Sequence, residues 1–355
     1  MKYLLRGYNL KIYPTEQQKC TFQKYFNGVN FVYNWGLEQR IKHYKETQKT
    51  LFLYDTQKQL TLLKKEKGTA WLNEVNAQSL TFALQRVDNG FKNFFRRVKK
   101  GDKELGFPKF KSSKITEQSF YSQQGNSLNL KKENKIIVYR HKKGGKHLNF
   151  LNIMNVKNIP VCISSVRYKE EIEKGIVKGV TITRRKDGKF YASLCVNVPC
   201  AATPKIDRAK KSSIKIDLNT CNPYVSFSEN LGLPTNHWDF LNVDLQRVKI
   251  LGRKFSRQKQ GSMRYEKTRI KMARLYGKIA NRRKSFLNNI SKKIVENYKK
   301  IVINDIDIAG SLLPKNHKRT RDLNRTLLDK GMGEFKRQLI YKAAWYKRKI
   351  ILVKP

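Results

Sequence analysis

The sequence predicts an α+β protein of several domains, and three observations lead to that class. The chain has 355 residues, of which 39% are hydrophobic and 11% aromatic, so it can bury more than one core. Helical patterns fill residues 14–105 and 245–298, whereas short alternating runs fill residues 106–199. After residue 213 strands alternate with helices, which is typical of a mixed sheet domain.

The first elements are predicted to be a strand and two long helices. Residues 3–13 alternate and end at Pro14, after which Thr15 and Gln18 match a capping box. A second helix begins near Asn76. The apolar residues at helical spacing are Phe22, Phe26, Val29, Tyr33, Leu37 and Ile41 in the first helix and Leu80, Leu84, Val87, Phe91, Phe94 and Val98 in the second.

The middle of the chain is predicted to be a small antiparallel barrel or sheet. Residues 106–111 break the helical pattern. Asp187 and Gly188 then favour a tight turn between runs at 180–183 and 190–198, which predicts a hairpin. Residues 201–213, rich in lysine, are interpreted as a linker.

The C-terminal elements are predicted from short apolar runs. Strands are expected at 214–218, 301–305 and 349–353, with a possible hairpin partner at 224–227. Nearly all of residues 245–298 are predicted to be helical, and another helix is expected at 334–346. These elements predict an α/β sheet domain.

The charge of the chain predicts a polyanionic partner. Lys and Arg number 76 against 27 Asp and Glu, a formal net charge of +49. No run approaches the roughly 20 apolar residues of a membrane span, and the N-terminus lacks a signal peptide, so we expect a cytoplasmic protein without a membrane partner. The five cysteines form no C-x-x-C pair, so we expect reduced, buried thiols and no structural zinc.

Short segments in order resemble the TnpB proteins of insertion sequences, which are RNA-guided nucleases related to type V CRISPR effectors. The matching segments, most of them weak alone, are Tyr13-Pro14, Phe31-Val32-Tyr33-Asn34-Trp35, Trp71-Leu72-Asn73-Glu74-Val75, Phe91-Lys92-Asn93-Phe94-Phe95, Gly106-Phe107-Pro108-Lys109-Phe110, Ile216-Asp217-Leu218, Ile279-Ala280-Asn281-Arg282-Arg283-Lys284, Gly333-Glu334-Phe335 and Tyr341-Lys342-Ala343-Ala344-Trp345-Tyr346.

The resemblance implies a domain order and a set of partners. It implies a wedge-like β-barrel domain from residues 1–13 and 106–200, a helical recognition domain at 14–105, a linker at 201–213, and a RuvC-like domain of RNase H-like fold at 214–355. The expected partners are a guide RNA and double-stranded target DNA beside a short motif. We expect one protein copy on the RNA.

The resemblance also implies where nuclease chemistry would reside. Nucleases of this family hold two metal ions with three acidic residues. Asp217 matches the first acid, Asn304 stands at the second, and the third would lie beyond Pro355, after a zinc ribbon. An amide contributes no charge to a metal site. Asp305 and Asp307 cannot replace it, since side chains one residue away on a strand project to the opposite face.

From these positions the sequence predicts a chain without nuclease activity, with a vestigial Asp217 and no catalytic two-metal site. It is then similar to the nuclease-dead repressors derived from TnpB, which silence genes by occupying DNA. Two alternatives stay open: a weakly active RNA-guided nuclease or guide-processing enzyme, and an unguided nucleic-acid-binding accessory of a transposon.

Two sets of binding residues are predicted. Contacts to the RNA or heteroduplex backbone are expected from a basic set, for which a solvated helix face is the alternative: Lys109, Lys111, Arg253, Lys254, Arg257, Lys259, Arg264, Lys267, Lys271, Arg274, Lys278, Arg282, Arg283 and Lys284. Contacts to the DNA motif are expected from a polar set, in which helix capping is the alternative for Asn76, Gln78 and Thr81: Tyr54, Asn76, Gln78, Thr81, Ser122, Gln123 and Gln124.

Overall fold

The chain divides into two compact units, Met1–Ala202 and Thr203–Pro355. The computed structural model describes residues 3–101, 106–112, 117–123, 137–143, 146–153, 156–163, 166–199, 211–217, 242–304, 324 and 328–353. No helix in these ranges has a run long and apolar enough to cross a membrane. Each unit has its own hydrophobic core.

The first unit contains an antiparallel sheet of seven strands. They are β1 (Tyr3–Ile12), β2 (Gln118–Gln123), β3 (Ile137–Lys143), β4 (Lys146–Ile153), β5 (Val156–Cys162), β6 (Ile176–Arg184) and β7 (Phe190–Pro199), in the order β2-β6-β7-β1-β5-β4-β3. β1 pairs with β7 along its whole length and with β5 at its end. Within the described ranges β2 and β3 are edges, so the predicted antiparallel barrel or sheet is a sheet here, and the wedge-like barrel stays a prediction.

The predicted hairpin is confirmed as β6 and β7. Gly188 has φ of +80°, and its N–H donates to the Arg185 carbonyl at 2.9 Å. Glycine adopts this left-handed conformation without strain, which is why the Asp-Gly pair could be interpreted from sequence.

The helices of the first unit begin where the sequence placed their caps. They are α1 (Glu16–Thr47), α2 (Leu53–Leu63), a 3₁₀ turn (Ala70–Glu74), α3 (Ala77–Lys100) and α4 (Val166–Lys174). The capping box is confirmed, because the Gln18 N–H donates to the Thr15 side chain and the Gln18 side chain accepts from the Thr15 N–H. The Asn76 side chain caps α3 by accepting from the Ser79 N–H at 3.2 Å.

One hydrophobic core joins helices and sheet in the first unit. Phe22 and Phe26 of α1 pack on Phe120 of β2 with ring centroids 5.7 and 5.4 Å apart. Arg40 of α1 donates to Asp88 of α3 at 2.9 Å. The boundary predicted between a helical and a barrel domain is therefore crossed by shared packing, and that division stays a prediction.

The second unit is built on a three-stranded parallel sheet. Its elements are β8 (Lys211–Asp217), a 3₁₀ turn (Asn242–Asp244), α5 (Leu245–Ser256), α6 (Met263–Asn297), β9 (Tyr298–Asn304), α7 (Met332–Trp345) and β10 (Lys349–Val353). The strand order is β10-β9-β8, and both pairs are parallel. Buried Leu287 and Ile290 of α6 and Phe335 of α7 belong to the same core as Ile301 and Ile303 of β9.

Two boundaries in the second unit differ from the sequence prediction. β8 begins at Lys211, which pairs with Tyr298, so the last residues of the predicted linker belong to the sheet. The predicted helix over 245–298 is interrupted at 257–262, where Ser262 caps a new helix by accepting from the Tyr265 N–H. The predicted strand at 224–227 lies outside the described residues.

Candidate nucleic-acid interface

One face of α6 carries a row of exposed cations, here called the α6 stripe: Arg264, Lys267, Lys271, Arg274 and Lys278. Their positions advance by three and four residues in turn, which keeps them within an arc of about 80° on a helix of 3.6 residues per turn. The stripe is roughly 21 Å long at 1.5 Å per residue. None of the five pairs with a carboxylate among the described residues.

The second half of α6 holds the helix in the core of its unit. Ile279, Leu287, Ile290 and Ile294 are buried there, whereas Thr268 is the one buried residue within the described segment 263–278 that carries the stripe. Because the helix is continuous, its exposed cations keep a fixed spacing along one face. The stripe is therefore the arrangement expected of a surface that holds a phosphate backbone without reading bases.

Two of the predicted RNA-binding arginines of α6 form ion pairs within the protein, which the sequence did not predict. Arg282 pairs with Asp244, whose side chain is 3% exposed, and Arg283 pairs with Asp329. Both carboxylates are buried, and a buried carboxylate needs such a partner. Lys284 is exposed but lies about a third of a turn from the α6 stripe.

The remaining predicted RNA-binding residues are exposed, with one exception. Arg253 and Lys254 of α5, with Arg257 and Lys259 after it, are exposed. Lys109 is exposed, whereas Lys111 is only partly exposed and its Nζ lies 4.4 Å from the centre of the Tyr33 ring.

The predicted motif-reading residues of the first unit lie on α2, α3 and β2. The Ser79 hydroxyl donates to the Tyr121 carbonyl at 2.9 Å, which ties the start of α3 to β2. Gln78 and Gln123 are exposed on these two elements, and Tyr54 of α2 is 66% exposed.

Other members of that set have structural roles. Asn76 is the N-cap of α3, and the Thr81 hydroxyl donates to the Ala77 carbonyl at 3.1 Å. Ser122 is fully buried, so it cannot contact DNA in this conformation. Gln124 lies outside the described residues.

The two candidate catalytic positions are brought together by the backbone. Asp217 and Asn304 are Cα partners at the ends of the parallel strands β8 and β9. Val353 of β10 is the next partner in the same row. The carboxyl ends of parallel strands are a usual place for a site in an open α/β sheet.

The sequence supplies an aspartate and an asparagine at these two positions, and carboxylate and amide oxygens are ligand types that Mg²⁺ accepts. Asp305 and Asp307 lie outside the described residues, and within the described ranges no three His, Cys, Asp or Glu residues form a metal group. The expected absence of zinc and of a two-metal site stays a prediction.

Sequence reasoning missed a polar cluster in the first unit, here called the Lys111 cluster: Asn30, Tyr33, Asn34, Arg86, Lys111 and Ser119. A sequence signal was present on α1. Gln23, Asn27, Asn30 and Asn34 recur at helical spacing, which places four amides on one side of the helix.

Two aromatic residues of β1 and α1 and two cysteines of the first unit are placed as follows. Tyr8 lies in the core, where its hydroxyl donates to buried Glu171 at 2.6 Å. Phe31 is 38% exposed and packs edge-on against Trp71. Cys20 and Cys162 are free but exposed, so the expectation of buried thiols is wrong for these two.

Comparison with known families gives two matches. A profile described as "Probable transposase" (OrfB_IS605) matches residues 194–313, and one described as "Helix-turn-helix domain" matches residues 1–49. In this chain residues 1–49 contain β1 and the uninterrupted helix α1, so the second description does not fit the secondary structure.

Relatives match almost the whole chain. A "Putative RNA-guided DNA endonuclease" of Streptomyces pristinaespiralis is 25% identical over 355 residues, covering 99% of this chain and 78% of the relative. A protein of the same description from Escherichia coli K12, InsQ, is 25% identical over 360 residues, covering 99% and 81%. A cryo-EM structure of a Cas12f1-sgRNA-target DNA complex aligns with TM-score 0.47 and 10% identity, covering 99% of this chain and 90% of that chain.

These relatives overturn one prediction. The sequence alone predicted that the chain is not an enzyme, because Asn304 stands where an acid was expected. Four relatives, which match 98–99% of this chain, are described as "Putative RNA-guided DNA endonuclease". The prediction of a nuclease-dead protein is therefore wrong, and these relatives give no support to the nuclease-dead subgroup.

Proposed function

The chain belongs to the TnpB family of insertion-sequence proteins, and we propose that it is an RNA-guided DNA-binding protein with endonuclease activity. In this proposal a guide RNA pairs with one strand of the target. The protein holds the hybrid by its backbone and reads a short neighbouring motif in the duplex.

The α6 stripe is the observation that carries this proposal. Its five cations are exposed and have no carboxylate partner among the described residues. Cations kept apart from acids repel one another, and that repulsion is relieved when phosphates approach. Contacts of this kind hold any sequence, so the choice of target falls to the guide.

Duplex recognition is proposed for the start of α3 and the end of β2. Gln78 and Gln123 are exposed there, and amide side chains pair well with adenine edges in the major groove. Their elements are tied by the bond between Ser79 and Tyr121, which fixes the spacing of the two amides.

Strand scission is proposed for the ends of β8 and β9, where Asp217 and Asn304 are register partners. These two residues would hold a divalent ion through oxygen atoms. A bound Mg²⁺ supplies Lewis-acid stabilisation of charge on the phosphate and activates water. Because Asn304 adds no charge, we propose that the ion binds more weakly here than between two carboxylates.

Guide dependence tests the proposal. The protein is expressed with the flanking DNA of its locus and purified, and the bound RNA is sequenced. We expect one discrete RNA species, and replacing its guide segment should redirect DNA binding to the new complementary sequence. Binding that ignores the guide segment would support the unguided accessory and overturn the proposal.

A further inference from the structure

Two cations from different elements of the first unit share one neighbourhood in the Lys111 cluster. Lys111 Nζ lies 4.4 Å from the centre of the Tyr33 ring and 3.4 Å from Asn30 Oδ1. Arg86 of α3 approaches from another side, with Nη1 3.5 Å from Ser119 Oγ. Burial raises the pKa of Tyr33, and the positive charge of Arg86 acts against that rise.

The position of Lys111 is fixed by its backbone. Its N–H donates to Asn34 Oδ1 at 2.8 Å, and its carbonyl accepts from Asn34 Nδ2 at 2.9 Å. Asn34 thus clamps one residue of an irregular segment against α1. A lysine held in this way loses little further freedom when it binds a ligand, unlike a lysine on an open helix face.

The cluster has positive charge without a negative partner. Neither Arg86 nor Lys111 pairs with a carboxylate among the described residues. Burial lowers the pKa of Lys111 to about 8, and the charge of Arg86 acts in the same direction. Burial likewise lowers the pKa of Arg86. Two neighbouring cations that are partly removed from water are unfavourable alone and favourable around an anion.

The cluster is not sealed from solvent. All six of its residues are partly exposed, and none is fully buried. Amides extend from it along α1, since Gln23, Asn27, Asn30 and Asn34 occupy one side of that helix. At the far end of these amides, Arg184 of β6 donates to Gln23 at 2.7 Å. A polyanionic chain bound at the cluster would therefore meet a polar surface along α1.

We propose that Arg86 and Lys111 together hold one backbone phosphate of the bound nucleic acid. The guanidinium offers several donors in a fixed fork and the ammonium offers a point charge, a combination suited to phosphate oxygens. The inference rests on the proposed function for the identity of the polyanion. Guide RNA and target DNA carry the same phosphodiester chemistry, so the experiment separates them.

Variants of the full-length protein test the phosphate site. Arg86→Gln and Lys111→Gln remove one cation each, Lys111→Arg keeps the charge, and Lys24→Gln is a control on the exposed face of α1, where Lys24 pairs with Glu74 at 2.6 Å. Circular dichroism melting checks that each variant folds. Affinity is measured over a salt series for a random-sequence single-stranded RNA, the guide RNA, and matched DNA added to the guide-loaded protein.

The expected result is a loss of roughly tenfold in affinity for each glutamine variant. The slope of log affinity against log salt should become shallower by about 0.7 to 0.9, as for one lost phosphate contact. Lys111→Arg should retain affinity, and Lys24→Gln should match the wild type. If only the guide RNA arm responds, the phosphate belongs to RNA; if only the DNA arm responds, it belongs to DNA.

A pH series adds a readout that a structural role would not change. Above about pH 8 the wild type should lose affinity relative to Lys111→Arg, because free Lys111 deprotonates there while arginine stays charged. Tyr33 and Arg86 are the other ionisable groups at this position.

Folded glutamine variants with wild-type affinity and salt slope in all three arms would overturn the phosphate site. The random-RNA arm requires no guide. A failure of guided binding in the wild type would therefore reject the proposed function and still leave the phosphate site tested.

Discussion

The two halves of α6 carry the same kind of side chain in opposite circumstances. The five cations of the α6 stripe are exposed and have no carboxylate partner among the described residues, whereas Arg282 and Arg283 pair with buried carboxylates. The difference follows from packing, because the second half of α6 lies in the core of its unit. A single basic run thus contains both the exposed cations that we propose as a surface for nucleic acid and two arginines that stabilise the fold through ion pairs.

Replacing the exposed cations of the α6 stripe should give the largest effect, which is a loss of RNA affinity. The variant replaces four stripe cations with glutamine: Arg264, Lys267, Lys271 and Arg274. We expect about a 100-fold loss of RNA affinity at low salt and a salt slope shallower by about 3, since each lost phosphate contact removes roughly one counterion. Filter binding over a salt series measures both.

A control for the stripe variant replaces two lysines of α1 that already pair with carboxylates. Lys19 pairs with Glu16 and Lys24 with Glu74, each at 2.6 Å. Their double glutamine variant should keep the wild-type slope. If it loses as much affinity as the stripe variant, total charge rather than the stripe holds the RNA.

Substitutions in the second half of α6 should instead lower the free energy of unfolding. Arg282→Gln leaves the carboxylate of Asp244 buried, with only Arg247 at 3.4 Å. Breaking such a pair should lower the free energy of unfolding by about 3 kcal/mol. Arg274→Gln, on the exposed side, should change it by about 0.5 kcal/mol or less. Urea unfolding of both variants tests the contrast, and equal stabilities would contradict it.

A buried lysine that contacts the second half of α6 predicts how the stability of the protein depends on pH. Lys342 of α7 donates to the Asn288 carbonyl and to Ser291, each at 2.7 Å. Burial and then the charge of Lys292 lower its pKa to about 8, below the ordinary 10.5. The unfolded chain therefore binds more protons between these values, so stability rises with pH across that window.

Lys342 should contribute a rise on the order of 1–2 kcal/mol from pH 7.5 to 9.5, and Lys342→Met should remove that contribution, while the rise from Lys111, whose pKa is also lowered to about 8, should remain. Urea unfolding at the two pH values compares the rise in the two proteins. An equal rise in wild type and variant would show that another group titrates.

The smallest effect should separate two exposed lysines of α6. Lys278→Gln removes a stripe cation and should make the salt slope shallower by about 0.7 to 0.9. Lys284 lies about a third of a turn from the α6 stripe and near Glu334. Lys284→Gln should therefore leave the salt slope unchanged. Equal salt slopes for both variants would contradict the proposal that the α6 stripe is a distinct binding surface.

Local signals made much of the secondary structure predictable. Thr15 with Gln18 and Asp187 with Gly188 fix a helix start and a hairpin through contacts between near neighbours, and both were predicted correctly. The pairing of β1 with β7 joins residues nearly 190 positions apart. Nothing local in the sequence encodes such a pairing, so the order of the sheet could not be deduced.

The site was predictable only in part, for the same reason. The stripe follows from helical spacing, which the sequence displays. Arg282 finds its partner 38 positions away and Arg283 finds its partner 46 positions away, so their pairing was invisible. The register of Asp217 with Asn304 required the sheet. Asn304 and the third acid expected beyond Pro355 together led to the prediction of lost catalysis, which the names of the relatives contradict.

Cleavage of a matched plasmid by the guide-loaded protein in Mg²⁺ tests the proposed endonuclease most directly. We predict that the wild type cuts plasmid complementary to its guide and leaves a plasmid mismatched beside the motif intact. Asp217→Ala should bind the matched plasmid with unchanged affinity and fail to cut it. A wild type that binds matched plasmid and leaves it whole at every Mg²⁺ concentration would contradict the account.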